Sequence, residues 1–495
     1  MRVSVSYIRI ITLLYIAFSL FPFFLGWTRL YYGIPLSLLL GLGIYQFTQS
    51  LSFDEVEFYS KRQLVIAIVI LFLWVSFSGA GGMGYQVTDL YKSNTLVKEL
   101  STRSWPLEYD VDGEKMYLSH YLAYYIAAPT VFSILGFKVT QLALFVYTLI
   151  GILLSVFWLH RFIKGNLAFF SVFFILFGGI ATFSFVNTFG SESLSVYWDK
   201  ILNHGYLFWL NSREVIPLNF MSVTDMLYWT PQHAIPAFLG VGIMLNAGFV
   251  DGDIKYMPFI ICLLAMWSPM VLVGLFPLFV FVLLLRRFEG IWNYVNLIIA
   301  PILFIVLASF LLAIESGELV QHFIFTDLSG QGVSILKQMG IYFHFLFFEV
   351  IMWAIPIYAV LKNGFAKDEK ILFLFTCVML MIIPLYRFGL WNDWCTRVSM
   401  GSLIVLSLFA FRALVNAKGI LKGVMILLFI SGAQAASIGI IGSVIYSDFR
   451  PNFKSPEESQ VLTLPEICVG YPITQFVASE DTFFFKHLAK QKMEK

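Results

Sequence analysis

The chain has 495 residues, of which 59% belong to the apolar set AVILMFWYC and 13% are charged, with a mean hydropathy of +0.81. Soluble domains run at roughly 45–50% apolar and about 25% charged residues, so a soluble multidomain protein is excluded and a multi-pass membrane protein is implied. The net charge of +2 gives no argument for nucleic acid as a partner; Lys and Arg matter by position, because they bias which side of a bilayer each loop occupies.

Arg2 and Arg9 flank the start of a first apolar run, and a second run follows within a few residues, so the amino terminus reads as an uncleaved span rather than a signal peptide. Runs long enough to cross occur at about residues 8–26, 30–49, 64–79, 139–159, 167–185, 232–250, 291–314, 341–361, 371–386, 400–416 and 421–446. The run at 257–285 is too long for one upright helix. At its centre stands Trp267-Ser268-Pro269, where proline lacks a helix donor and turns the preceding residue away from αR. It is therefore divided into two shorter crossings. With that division and the amino terminus inside, Arg2, Arg9, Lys61, Arg62, Arg161, Lys164, Lys255, Arg286, Arg287, Lys362, Lys367, Lys370, Arg412, Lys418 and Lys422 fall in short inner segments, as the positive-inside rule favours.

The segment Tyr117 to Phe137 is also apolar. It places Tyr117, His120, Tyr121, Tyr124 and Tyr125 at helical spacing, the stripe expected of an amphipathic helix lying at headgroup level. A transverse helix is the alternative, and it would invert the later loops. The fold class expected is an all-α polytopic membrane protein of about 13 transmembrane helices. Large extracytoplasmic loops, an interfacial helix, a cytoplasmic amino terminus and an extracytoplasmic carboxyl terminus complete it. Residues 1–446 form the membrane domain, with outer segments 80–138, 186–231, 315–340 and 387–399, and residues 447–495 form an outer tail. Such a chain belongs in the inner (plasma) membrane.

Long outer segments rich in Trp, Tyr and Gly are where function is expected. The first holds Gly81-Gly82, Gln86, Asp89, Asn94 and Trp105-Pro106. A glycine turn allows close backbone approach, and a carboxylate at Asp89 suits a general base or a metal ligand, or else a helix cap. Glu108, Asp110, Asp112 and Glu114 read as a solvated stretch with an Asp112-Gly113 turn. The second segment carries Glu192, Asp199, His204, Arg213, Glu214 and Asp225 and leads into His233, in the first turn of the next span. An imidazole there suits a phosphate or a sugar hydroxyl, or a neighbouring carbonyl. The fourth holds Arg387, Asn392, Asp393 and Arg397. Arg397 either grips phosphate oxygens bidentately or pairs with Asp393 at i and i+4. Glu349, inside a span, is an intramembrane carboxylate with a functional or paired role, with His344 and Arg387 as candidate partners. The cysteines Cys262, Cys377, Cys395 and Cys468 make no metal-ligand spacing.

Gly81-Gly82, Gln86, Asp89, Asn94, Trp105-Pro106, Tyr121, Tyr124-Tyr125, Pro231-Gln232-His233, Trp267-Ser268-Pro269 and Asn392-Asp393-Trp394 with Arg397 together resemble the multispanning GT-C glycosyltransferase superfamily. More narrowly they are similar to bacterial membrane proteins with a Tyr-Tyr signature at that place. The resemblance implies transfer of a sugar from a polyprenyl phosphate or pyrophosphate donor to a glycan, lipid or protein acceptor at the outer face of the cell envelope, usually with inversion. It implies Asp89 as the acidic residue, with Arg397 and His233 on the phosphate side. Gln86, Asn94, Trp105, Tyr121, Tyr125, Arg213, Asn392 and Asp393 are the further substrate-binding candidates. Whether a divalent cation such as Mg²⁺ or Mn²⁺ takes part stays open. In two respects the chain departs from the family: the acidic loop follows the third span rather than the first, and no second carboxylate sits beside Asp89 in sequence.

Inner loops without a P-loop or GxGxxG disfavour a nucleotide-sugar donor or ATP. Two other functions compete. A transporter or flippase of lipid-linked sugars would tend to show internal repeats and broken helices, and only the Trp267-Ser268-Pro269 break and Glu349 fit it. A polysaccharide polymerase or ligase would be expected to have its largest loop in the second half of the chain.

Overall fold

Inside a bilayer every backbone N–H and C=O must be satisfied within its own segment, so long apolar runs become helices. The computed structural model describes residues 1–180, 218–314, 320–326, 334–389, 392–468 and 473–490. Among the described residues six helices are long and apolar enough to cross a membrane: Val5–Trp27, Leu30–Gln49, Phe137–Ile163, Pro231–Asp251, Ile335–Leu361 and Gly419–Tyr446. Shorter apolar helices lie at Ala123–Leu135, Leu167–Leu176, Met257–Met266, Pro269–Leu285, Val295–Leu311 and Met400–Asn416. Lys61–Ser76 and Lys367–Ile382 are further helices with charged first turns. This is the build of a helical membrane protein, with Leu, Ile, Val and Phe side chains exposed along its flanks.

The proline break behaves as its chemistry requires. One helical stretch ends at Met266, and Ser268 caps the next by accepting the Val271 N–H at 3.2 Å, with Pro269 at its first position. The chain reverses at this point. Arg286 Nε, beyond the second arm, donates to Gly248 O at 2.6 Å, and Asn293 Nδ2 donates to Lys255 O at 3.0 Å. The second arm thus ends at the level where the first began.

That level is held together by ions. Strand β1 (Arg2–Ser4) pairs antiparallel with β2 (Val56–Phe58), and the buried Arg161 guanidinium contacts Glu55, Glu57 (3.3 Å) and Asp251 (2.6 Å). Arg9 bridges Glu55 (3.0 Å) and Asp251 (2.7 Å). Three helices and the β2 strand are joined in one network.

The opposite end carries a three-stranded sheet of β3 (Glu108–Val111), β4 (Glu114–Leu118) and β7 (Val477–Ser479), in the order β3-β4-β7. A further pair, β5 (Gln321–Phe323) with β6 (Tyr386–Phe388), lies between them in sequence. The all-α expectation is corrected to this extent. The Asp112-Gly113 turn closes the β3–β4 hairpin with positive φ at both residues, 56° and 84°, the geometry that a tight hairpin turn demands. The tail is packed rather than free: Phe484 is buried against Phe23 and Phe310, and Arg29 N–H donates to Leu488 O at 2.9 Å.

The expected interfacial helix over 117–137 is also corrected. Tyr117 lies in β4, His120 and Tyr121 in the following turn, and only Tyr124 and Tyr125 on the Ala123–Phe132 helix. Residues 123–129 are buried on every side, between the Thr88–Thr102, Phe137–Ile163 and Leu20–Trp27 helices. The helical spacing of the tyrosines spans a strand, a turn and a helix, and so describes no single face.

Candidate functional site

The end of the molecule remote from the Arg161 network gathers side chains from five segments. Asp89 is in the first turn of the Thr88–Thr102 helix, with Lys92 and Ser93 one turn on. His120 and Tyr121 precede the Ala123–Phe132 helix, which supplies Tyr125 from its first turn. His233 is in the first turn of the Pro231–Leu245 helix, where proline at the start needs no donor. Asp393 and Arg397 belong to a π-helical turn, Trp394–Val398, and its cap.

Tyr121 is the hub. Its ring centroid is 3.7 Å from that of His120 and 4.8 Å from that of His233. His120 lies 6.5 Å from Tyr125, whose hydroxyl receives the Ser93 hydroxyl at 3.5 Å. His233 Nδ1 and Ser268 Oγ are 2.6 Å apart, which ties the site to the proline break. Arg397 Nη2 meets Asp393 Oδ1 at 3.0 Å, and its charge also acts on Tyr121, Asp89 and Tyr125. Burial pushes the His120 imidazole well below its usual range, and the charges of Lys92 and Arg397 push the same way. His120 is therefore a neutral ring at physiological pH. The Asp89 carboxylate is half-exposed and makes no hydrogen bond or ion pair among the described residues.

Asp89, Tyr121, Tyr125, His233, Asp393 and Arg397 are thus brought together, and other candidates stand apart from them. Gln86 donates to Gly79 O (2.9 Å) and Gly84 O (3.1 Å), while Asn94 Nδ2 donates to Gln86 Oε1 (3.2 Å) and Gln141 Nε2 to Asn94 Oδ1 (2.7 Å). This buried amide chain holds the glycine turn against two helices. Gly79 itself has φ +84°, and a Cβ on it would lie 2.2 Å from Leu90 Cδ1. Trp105 packs on Trp27 at 5.2 Å and donates to Leu100 O at 3.0 Å. Asn392 is buried at φ 54° and accepts the Cys395 N–H at 3.2 Å, shaping the turn that presents Arg397. Asp225, bound by the Ser222 hydroxyl at 2.6 Å, serves a short helix cap. Arg213, with Glu192, Asp199, His204 and Glu214, lies outside the described residues. Glu349 is buried beside Gly179, where a Cβ would fall 1.4 Å from Glu349 Oε2.

Lys92, His120 as a site group and Ser268 are additions that sequence reading did not make. Lys92 follows Asp89 by three residues, and on a helix that spacing shares a face. Among the described residues no group of 3 or more His, Cys, Asp or Glu side chains converges as a metal site. Comparison of the chain with protein-family models, with curated proteins and with solved structures gives no match.

The Arg397–Asp393 pair sets up a test. Arg397 and Asp393 side chains are 17% and 31% exposed, too far out of water for the pair to count as a surface salt bridge of about 0–1 kcal/mol. Asp393→Asn leaves that guanidinium without its carboxylate and is expected to lower the melting temperature. Arg397→Lys keeps the charge but loses the planar fork, so it is expected to weaken binding of a phosphate ligand several-fold at nearly unchanged melting temperature. Equal loss of stability in both variants, with ligand binding intact, would make Arg397 structural.

Proposed function

We propose that the chain is a membrane glycosyltransferase of the GT-C kind, moving a sugar from a polyprenyl-phosphate donor to an acceptor on the extracytoplasmic face. The observation that carries this reading is the convergence of Asp89, Tyr121, His233 and Arg397 at the end of the bundle remote from the Arg9 and Arg161 network. A lipid-linked sugar phosphate needs an apolar path for its tail, an oriented cation or hydrogen-bond donor for its leaving phosphate, and a base for the acceptor hydroxyl. Electrostatic groups fixed where charge develops supply most of such catalysis. In this reading Asp89 takes the acceptor's proton as its oxygen attacks the anomeric carbon. The bond to the phosphate oxygen breaks, and Arg397 and His233 stabilise the departing phosphate. Attack opposite the leaving group inverts the anomeric centre.

The proposal includes about thirteen passes, with the Arg161 end cytoplasmic. Helix ends alternating between the two clusters support it: Trp27 lies near Trp105, Arg161 near Asp251, His233 near Ser268, Arg286 near Gly248, and Tyr446 near Tyr85. Single cysteines at the exposed positions Ser104 and Ser459 are expected to react with an impermeant maleimide from outside intact cells, and one at exposed Asn363 is not. Labelling of position 363 from outside breaks this topology. The donor class is tested by native mass spectrometry of the purified protein, which should carry a polyprenyl phosphate or its glycosylated form. Protein that retains only bulk phospholipid, and that takes up no added polyprenyl phosphate, counts against the donor.

A further inference from the structure

Two cations stand at the candidate site, and they are not equivalent. Arg397 is engaged by Asp393 at 3.0 Å. Lys92 pairs with no carboxylate among the described residues; its Nζ lies instead 5.3 Å from the ring centroid of Phe476, in the C-terminal tail. Beside it are two imidazoles with an open nitrogen. Among the described residues Nε2 of His120 and Nε2 of His233 are buried without a hydrogen-bond partner, in side chains 3% and 0% exposed, and the charge of Lys92 acts on both rings. Buried polar atoms are rarely left unmade without a ligand or water to take them. At His233 the Nδ1 atom is taken up by Ser268 Oγ, which also accepts the Val271 N–H, so Nε2 is the ring atom left to face a ligand.

The tail fixes this arrangement. Ser119 N–H donates to Phe476 O at 2.9 Å, and Leu118 faces Val477 in the β4–β7 ladder, so Phe476 is held directly against the turn that carries His120. The Phe476 ring lies 5.2 Å from the His120 ring while its face receives the Lys92 ammonium. A cation over an aromatic face keeps its charge and loses freedom.

We propose that Lys92 is a further contact for the anionic group of the ligand, joining Arg397 and His233, with His120 beside it, and that Phe476 positions the Lys92 ammonium. The inference rests on the donor reading above, since it assigns the anion to a lipid-linked phosphate. It makes the C-terminal tail a wall of the site rather than an appendage.

The test titrates farnesyl phosphate, with farnesol as the uncharged control, into the purified full chain in nanodiscs, and records melting temperature for each variant. Wild type is expected to prefer the phosphate. Lys92→Gln should weaken farnesyl phosphate about tenfold or more and leave farnesol unchanged, whereas Lys92→Arg should restore most of the loss, as a charge-assisted contact requires. Phe476→Ala should weaken the phosphate about three- to tenfold and Phe476→Tyr should restore it, in keeping with a cation–π contact. Lys92→Gln binding farnesyl phosphate as wild type does, while wild type still prefers it over farnesol, overturns the inference and leaves the donor reading standing. Loss in Lys92→Gln without rescue by Lys92→Arg, accompanied by a lowered melting temperature, also overturns it. Wild type that binds farnesol as tightly as the phosphate, or binds neither, removes the donor reading and this inference with it.

Discussion

Asp89→Asn is expected to lower sugar transfer by about two to four orders of magnitude, the range associated with loss of a general base, or roughly 3–5 kcal/mol in the barrier. The asparagine keeps the shape of the side chain and removes its proton affinity. Folding should be nearly unaffected, because the carboxylate makes no hydrogen bond or ion pair among the described residues. What is lost structurally is a favourable charge in the first turn of the Thr88–Thr102 helix, about 0.3–1 kcal/mol. The two effects differ enough in size to be told apart by measuring transfer of labelled sugar in proteoliposomes together with the melting temperature. Asp89→Glu should retain partial activity, since the base remains but is displaced by one methylene. Wild-type turnover by Asp89→Asn removes the base from Asp89, and Asp393 is then the nearest carboxylate facing the same guanidinium.

Most helices were legible in the sequence because their cause is local. A run of apolar residues in a bilayer has one backbone solution, and Trp267-Ser268-Pro269 breaks it wherever the tertiary structure places it. Part of the site was legible for a similar reason. Asp89, His233 and Arg397 each sit within a turn of a helix start, and polar residues at that level of a membrane helix are costly unless used. What the sequence did not show is long-range pairing. Strand β7 joins β4 across more than three hundred residues of chain, and nothing in a three-residue segment announces its partner. The position of Phe476 over Lys92 follows from that ladder and was hidden with it.

Gln86 and Asn94 illustrate the converse. An exposed-looking amide near a glycine turn reads as a ligand contact, yet both amides are spent on backbone carbonyls and on Gln141. Composition cannot distinguish a polar atom facing a ligand from one holding a loop, because both satisfy the same rule against unmade hydrogen bonds. The tyrosine stripe over 117–125 failed for a different reason: spacing of three and four residues defines a face only if one helix runs through all of them.

Arg161→Gln is expected to destabilise the protein by about 3–5 kcal/mol, the usual result of removing one partner from a buried ion cluster. The guanidinium is 2% exposed and meets Glu55, Glu57 and Asp251, while Nη1 donates to Asn246 Oδ1 at 2.9 Å. Of the three carboxylates, Asp251 is the least able to recover water, at 9% exposure against 21% for Glu57 and 36% for Glu55. Arg9 remains within 2.7 Å of Asp251 in the variant, which places the expected loss toward the lower end of that range. The diagnostic measurement is the double variant. If the loss comes from an uncompensated Asp251 charge, adding Asp251→Asn to Arg161→Gln should recover part of the stability rather than lower it further, a coupling of about 0.5–3 kcal/mol for residues in one network. Simple additivity of the two single losses in thermal unfolding would mean that Arg161 acts through packing against Trp158, whose ring lies 6.0 Å from its guanidinium, and not through charge. Recovery in the double variant would instead identify the cluster as an electrostatic lock joining the amino-terminal strand pair to the ends of two membrane helices, at the end of the molecule remote from the Asp89 site.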